Sequence, residues 1–277
     1  MIFIMKRIGL YFGVILVVGF ALAPIYQTVI MSLLHQSDIL NSPIIPKRSS
    51  ISLDNFRTLF SNGVVNLKLY LNSFIVAVVV SAATTMMSVL SGYALARFKF
   101  AGRILFGRAI LLAYIIPPTL LLVPVYTTMV KFHLQNTLFA VALAQIMLAL
   151  PFTVWLLRGF LQDIPTELDE AARVDGCSRM GVLFRIILPL AVPGIATAAV
   201  FAFLESWNEY LFSSVLVTSA DKHTYPFGLY AVAGTYGDVR WGEAMAAATI
   251  GALPVFLIFI LCQRWIVSGL TSGAVKG

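Results

Sequence analysis

Six apolar stretches, each long enough to cross a lipid bilayer, decide most of what this chain can fold into. They run from about Gly9 to Leu33, Leu69 to Ala96, Ile104 to Val130, Leu138 to Leu157, Leu190 to Leu211 and Glu243 to Val267. A spanning helix needs about 20 mostly apolar residues, because the hydrocarbon offers no water to satisfy backbone polar groups. With 60% hydrophobic and 11% charged residues over 277 positions, polar groups are too few to coat a soluble globule of this size. The expectation is an all-α, polytopic membrane protein of about six spans, one transmembrane domain over residues 1–277 with no internal repeat or low-complexity segment. The first stretch follows Lys6 and Arg7. It is too long for a secretory signal and lacks a clear small-residue cleavage site, so it reads as an anchor.

Lysine and arginine then choose the orientation. An even number of spans puts both ends on one side. With the ends and even-numbered loops together, that side holds Lys6, Arg7, Arg97, Lys99, Arg103, Arg108, Arg158, Arg173, Arg179, Arg185, Arg264 and Lys276. The other side holds Lys47, Arg48, Arg57, Lys68, Lys131, Lys222 and Arg240. Both termini are therefore expected in the cytoplasm, and the net charge of +7 is explained by membrane orientation without invoking nucleic acid. Cys177 and Cys262 lie far apart in sequence and imply neither a disulfide framework nor a metal site.

The loops differ in character. From about Leu34 to Lys68, turn formers such as Asn41, Pro43 and Pro46 precede an amphipathic run, Leu53 to Phe60, which suits a surface or partner-contact helix or a plain connector. Arg97 to Arg103 is short, basic and aromatic, as befits the inner membrane surface. Only Lys131 to Thr137 joins spans three and four, predicting a tight antiparallel hairpin. Pro117, Pro118 and Pro124 should kink or break span three, either lining a cavity or merely bending a packed helix.

Between spans four and five, from Arg158 to about Leu188, the apolar periodicity stops and acids mix with bases. Pro165 suits a first helical turn, and Thr166 with Asp169 three residues on approximates a capping box. The spacing predicts a helix through Glu167–Val174, ended by a left-handed turn at Gly176. Leu168, Ala171, Ala172 and Asp175 share one side, and the two alanines leave the backbone approachable by a partner. A second helical stretch carrying Val182, Leu183, Ile186 and Ile187 leads back to the membrane at Leu188 and Pro189.

Glu170, Ala171 and Ala172, then Gly176, Ile186, Leu188 and Pro189, keep the spacing of the coupling loop of ATP-driven importer permeases of the ABC type, which the chain resembles over nearly its whole length. The resemblance implies the type I importer permease fold. It implies a role for Glu170, Ala171, Ala172, Asp175, Gly176, Ile186, Leu188 and Pro189 in docking to an ATPase subunit, with Glu170 and Gly176 central. Tyr93 to Phe98 with Gly102 and Arg103, and Trp207 to Glu209, look like sugar importer permeases. The ending from Ser268 is similar to the tail of the maltose-type second permease subunit, so Gly273, Ala274, Val275, Lys276 and Gly277 are expected to contact the ATPase subunits. If extended, the ten residues after Val267 would reach at most about 33–36 Å. Cys177 departs from the alanine more usual in that family.

Polar groups inside a bilayer point to the solute path or to helix contacts. Asn72, Gln145, Glu205, Asn208 and Glu209 are the path candidates, with Glu205 and Glu209 one turn apart on one face. At about 1.5 Å per residue from Pro189, Glu205 lies about 24 Å and Asn208 about 28 Å in. The small hydroxyls of span two suit helix packing. For Gln145, a sugar hydroxyl and an interhelical partner stay equally open. The chain has no GxxxxGK loop, HExxH pair or GxSxG elbow. No catalytic residue and no resident metal or cofactor is expected; by the resemblance, ATP and Mg belong to partner subunits. The family implies a sugar importer permease in the cell membrane, working with a second, homologous permease, two ATPase subunits and an extracytoplasmic binding protein. A permease for a non-sugar solute and an ion-coupled secondary transporter are the competing readings.

Overall fold

The computed structural model describes residues 2–39, 46, 48–61, 65–234 and 240–274. The described residues are overwhelmingly helical. Among the described residues, four helices are long and apolar enough to cross a membrane, and the count rises to six if each of two bent pairs forms one span.

The chain divides into two compact units, residues 1–66 with 228–253 and residues 67–227 with 254–277. The first unit holds α1 (Ile2–Ser32) and α2 (Asp54–Ser61). Among the described residues, none in the apolar window of α1 is buried, as in a helix facing lipid or another subunit. Its end is tied to α2 by Asn55, whose side-chain amide donates to the carbonyls of Ser32 at 3.0 Å and Leu34 at 2.6 Å. Gly242 is required nearby, because a side chain there would collide with the Asn55 carboxamide.

In the second unit α3 (Leu67–Arg97) packs against α6 (Leu138–Asp163) and α9 (Val192–Asn208), and α6 also packs against α4 (Arg103–Ile115). Small residues allow the close approach. A methyl at Gly92 would stand 3.2 Å from the backbone nitrogen of Arg158, so α3 and α6 approach backbone to backbone, as membrane helices commonly do at small residues. The hydroxyls of Ser88 and Thr153 pair at 2.7 Å across that contact, and Ser81 donates to the Ala199 carbonyl at 2.7 Å between α3 and α9. Ser81 and Ser88 thus join helices, as expected of the span-two hydroxyls, whereas the buried hydroxyls of Thr84 and Thr85 have no hydrogen-bond partner among the described residues.

Proline shapes both bent pairs. Ile116 and Pro117 are extended, and α4 meets α5 (Pro118–Lys131) at 97°. A residue before proline is pushed out of the helical region, and here two prolines follow in succession. The stretch Ile104 to Val130 is therefore not one kinked rod but two helices at a right angle. The hairpin expected at Lys131 to Thr137 is present: His133 and Asn136 take positive φ, and the Thr137 hydroxyl caps α6 by accepting from the Ala140 amide at 3.2 Å.

The second bend, 79°, lies at Ala191, between α8 (Arg179–Leu190) and α9. Within α8 the residues Leu183–Ile187 widen into a π-helical turn. Pro189 cannot donate a backbone hydrogen bond and its ring crowds the carbonyl four residues earlier, which favours such a widening. Helix α9 stops at Asn208, Glu209 is extended, and a short α10 (Leu211–Leu216) follows. The expected span Leu190 to Leu211 is thus shortened at both ends. After α11 (Tyr225–Val232), α12 runs from Trp241 to Ala274. Ser268 to Ala274, expected as tail, continue that helix. At about 1.5 Å per residue they advance about 10 Å, far less than an extended strand would.

Candidate functional site

Helix α7 (Glu167–Val174) forms where the sequence places it. Its start is held by backbone bonds from the amides of Asp169 and Glu170 to the Thr166 carbonyl, at 3.0 and 3.2 Å. The capping box expected from Thr166 and Asp169 is absent, since the Thr166 side chain makes no cap hydrogen bond. Asp169 is occupied elsewhere. Its Oδ2 lies 2.9 Å from Nε of Arg97, the last residue of α3, and the two side chains are only 16% and 6% exposed. Arg97 also donates through Nη2 to the Ile164 carbonyl at 2.8 Å. Burial pushes the Asp169 carboxyl above the ordinary carboxylate range, and the neighbouring Arg97 guanidinium draws it back down.

The end of α7 meets expectation. Gly176 takes φ +86°, and the amides of Gly176 and Cys177 donate to the carbonyls of Arg173 and Ala172 at 3.1 and 2.9 Å. This pair of bonds closes a helix through a left-handed residue, a role suited to glycine. Cys177 packs against the core cluster that includes Ala172, which supplies the apolar contact such an ending favours.

The faces of α7 differ from the expected grouping in one respect. Ala172 is buried, in one core with Val89 and Tyr93 of α3, Leu157 and Leu161 of α6, and Val182, Leu183 and Ile187 of α8. It does not share the outward side with Leu168 and Ala171. Outward stand Leu168 at 40% and Val174 at 88% exposure, with Glu170, Ala171, Asp175 and Gly176 also exposed. Helix α8 is capped by Ser178, which accepts from the Gly181 amide at 3.1 Å. Ile186 and Leu188 are partly buried against the same core, and Pro189 is exposed. Between the end of α3 and α7 opens a polar cavity of about 390 Å³ whose walls include Arg97, Lys99, Asp169, Glu170, Arg173 and Arg179. The Arg179 guanidinium lies 5.2 Å from the centre of the Phe98 ring.

At the opposite end of this unit the path candidates separate. Asn72 is committed to the fold, its amide donating to the carbonyls of Asp221 and His223, both at 3.0 Å. Gln145 is an interhelical linker: its Nε2 donates to Glu209 Oε2 at 3.0 Å and its Oε1 accepts from the Ser206 hydroxyl. Glu209 does not share a helical face with Glu205, because the backbone at Glu209 is extended. Its carboxylate instead accepts from the amides of Phe212 at 2.6 Å and Ser213 at 3.2 Å, at the start of α10. Glu205 and Asn208 remain exposed, and the Asn208 amide donates to the Leu204 carbonyl of its own helix at 2.8 Å. Counted from Val192, where α9 begins, Glu205 lies about 20 Å and Asn208 about 24 Å along the helix.

Trp207 is buried between Tyr70, edge-on with ring centres 5.3 Å apart, and the stacked rings of Phe203 and Tyr225. Two organisers went unnoticed in the sequence. Asn136 accepts from the Thr218 and Ser219 amides and donates to Ser219 Oγ, and Lys68 meets Asp221 at 2.8 Å. The positive φ of Asn136 follows from a short hairpin, which its spacing foretold. Of the expected tail contacts, Gly273 and Ala274 lie on the last turn of α12, and Val275, Lys276 and Gly277 fall outside the described residues.

A family model described as the binding-protein-dependent transport system inner membrane component matches residues 85–272. The chain belongs to this family. It is 34% identical, over 99% of its own length and 98% of the other's, to the trehalose/maltose transport system permease protein MalG of Thermococcus litoralis. It is 33% identical to the diacetylchitobiose uptake system permease protein DasC of Streptomyces coelicolor, over 96% and 95% of the two chains. A chain of a bacterial ABC transporter that imports the acidic polysaccharide alginate has the same fold, with TM-score 0.75 at 20% identity, covering 94% of this family member and 97% of that chain. The family match and the apolar helices make it a multi-pass membrane permease.

Proposed function

We propose that this permease carries a sugar or related carbohydrate across the cell membrane, driven by ATP bound with Mg on separate ATPase subunits that hold α7. The observation that carries the coupling is the two-sidedness of α7. Its inner side is locked to α3 by Arg97 and Asp169 and to the core by Ala172, while Leu168, Glu170, Ala171, Val174 and Asp175 stand free for a partner. A helix gripped from outside and fixed within transmits displacement to the spans behind it. The carbohydrate assignment rests on the solutes named for the relatives. Both termini and α7 lie in the cytoplasm, on the charge distribution of the loops.

The assembly contains a second, homologous permease, two ATPase subunits and an extracytoplasmic binding protein that delivers the solute. Closure of the ATPase pair on nucleotide moves α7 and α8 as a unit with the end of α3 and tilts the spans, opening the cavity outward; hydrolysis resets it. Glu205 and Asn208, exposed in the outer half of α9, line that cavity. The test is Glu170→Lys, which reverses a charge on the free side of α7 without touching the core. Uptake into cells should be lost, with the ATPase subunits either released on purification or hydrolysing without solute. Normal uptake together with normal ATPase association would refute the coupling role.

A further inference from the structure

The second unit also carries a pocket of about 830 Å³ built from the segment between α3 and α4, the first turns of α4, and α6. Four cationic side chains line it, Lys99, Arg103, Arg108 and Arg158, and no lining residue is acidic. None of the four forms an ion pair with a carboxylate among the described residues. The Arg158 guanidinium reaches the pocket by crossing over Gly107, where any side chain would collide with it. Its Nε is buried and has no hydrogen-bond partner. A buried guanidinium donor without an acceptor is costly, and three further positive charges beside it raise the cost. Such an arrangement persists when an anion completes it.

We infer that this pocket holds the phosphate of an anionic phospholipid headgroup. Arginine matches phosphate oxygens with paired donors, and basic pockets between membrane helices suit such headgroups. The lipid, rather than free phosphate, is indicated by the walls. Ile104 and Leu105 line the pocket, and with Phe106 they are 65%, 71% and 63% exposed, offering acyl chains an apolar flank directly beside the charges. The pocket adjoins the end of α6 that leads into α7, so the headgroup would brace the helix from which the coupling loop departs.

The test uses the full transporter, purified with its companion subunits in detergent. Native mass spectrometry counts the dioleoylphosphatidylglycerol and dioleoylphosphatidylcholine molecules retained on delipidation. The anionic lipid should be retained selectively. Arg103→Gln with Arg108→Gln, both away from the buried core, should weaken that retention roughly twenty-fivefold, about fivefold for each charge. The charge-matched control, Arg57→Gln with Lys131→Gln, should keep it, and millimolar inorganic phosphate should not displace it. Equal retention of the two lipids, or equal losses in both double variants, would overturn the site. Displacement by inorganic phosphate would overturn the lipid and leave a soluble anion in its place. Because retention is read without transport, its failure is distinguishable from failure of the coupling assignment.

Discussion

Arg97 and Asp169 illustrate how one pair of side chains fixes a helix to a membrane core. Both are largely buried, and desolvation of such a pair offsets much of its attraction. The consequences of breaking it are therefore asymmetric. Arg97→Gln leaves the Asp169 carboxylate buried and unpaired, and should cost toward the lower end of the roughly 3–5 kcal/mol typical of an orphaned buried charge. Asp169→Asn leaves the Arg97 charge without a counter-ion but keeps an isosteric amide oxygen as acceptor beside the Ile164 carbonyl, and should cost less. Burial already holds the Asp169 carboxyl above its ordinary range, so the folded state favours its protonated form relative to the unfolded chain. The deficit of Arg97→Gln should accordingly be largest at neutral pH and shrink as the pH falls and Asp169 takes up its proton. Thermal melting of the purified transporter as a function of pH checks this; equal losses for the two variants at every pH would contradict it. Gly176 acts through the backbone instead. At φ +86° a Cβ costs about 1–2 kcal/mol, and Gly176→Ala should weaken ATPase association in a pull-down without lowering the amount of permease in the membrane.

Among elements, α7 was legible because its signals are local, acids near the start and glycine after the end, although Pro165 precedes the Thr166 cap and does not lie in the first turn. What the sequence misassigned depended on partners distant in the chain. Only Thr166 is near Asp169 in sequence, which gives it the look of a capping acid, whereas Arg97 competes for it from the end of α3. Ala172 was grouped with the exposed side because helical spacing relates residues to one another and not to the core. Glu209 was extrapolated along a helix that ends one residue earlier. The break at Pro117 was foreseen and its 97° angle was not, since angle is set by packing. Close helix contact also leaves a readable difference between two glycines. Gly92 faces the Arg158 backbone at 3.2 Å, whereas Gly159 has open space. Gly92→Leu should therefore destabilise by about 1–3 kcal/mol through overpacking and lower the yield of assembled transporter. Gly159→Leu should leave the yield unchanged. Size-exclusion profiles of the two variants decide the matter, and equal yields would deny the close α3–α6 contact.

For the molecule as a whole, the distribution of positive charge and the position of α7 make one joint demand. If Lys and Arg set the orientation, the segment joining α3 to α4 and the segment joining α6 to α8 lie on one side of the membrane, and the hairpin between α5 and α6 lies on the other. Lys99 and Lys131 are exposed representatives of the two sides. In a background with Cys177→Ala and Cys262→Ala, single cysteines at these positions report the orientation directly. A thiol reagent that cannot cross the inner membrane should label Lys131→Cys in intact cells or spheroplasts and Lys99→Cys only after the membrane is opened. The sign of the result bears on everything above it in scale. An ATPase that draws on cytoplasmic nucleotide can grip α7 only if the Lys99 side is cytoplasmic. Labelling of Lys99→Cys from outside would put the exposed face of α7 out of reach of any such partner, whatever its local geometry.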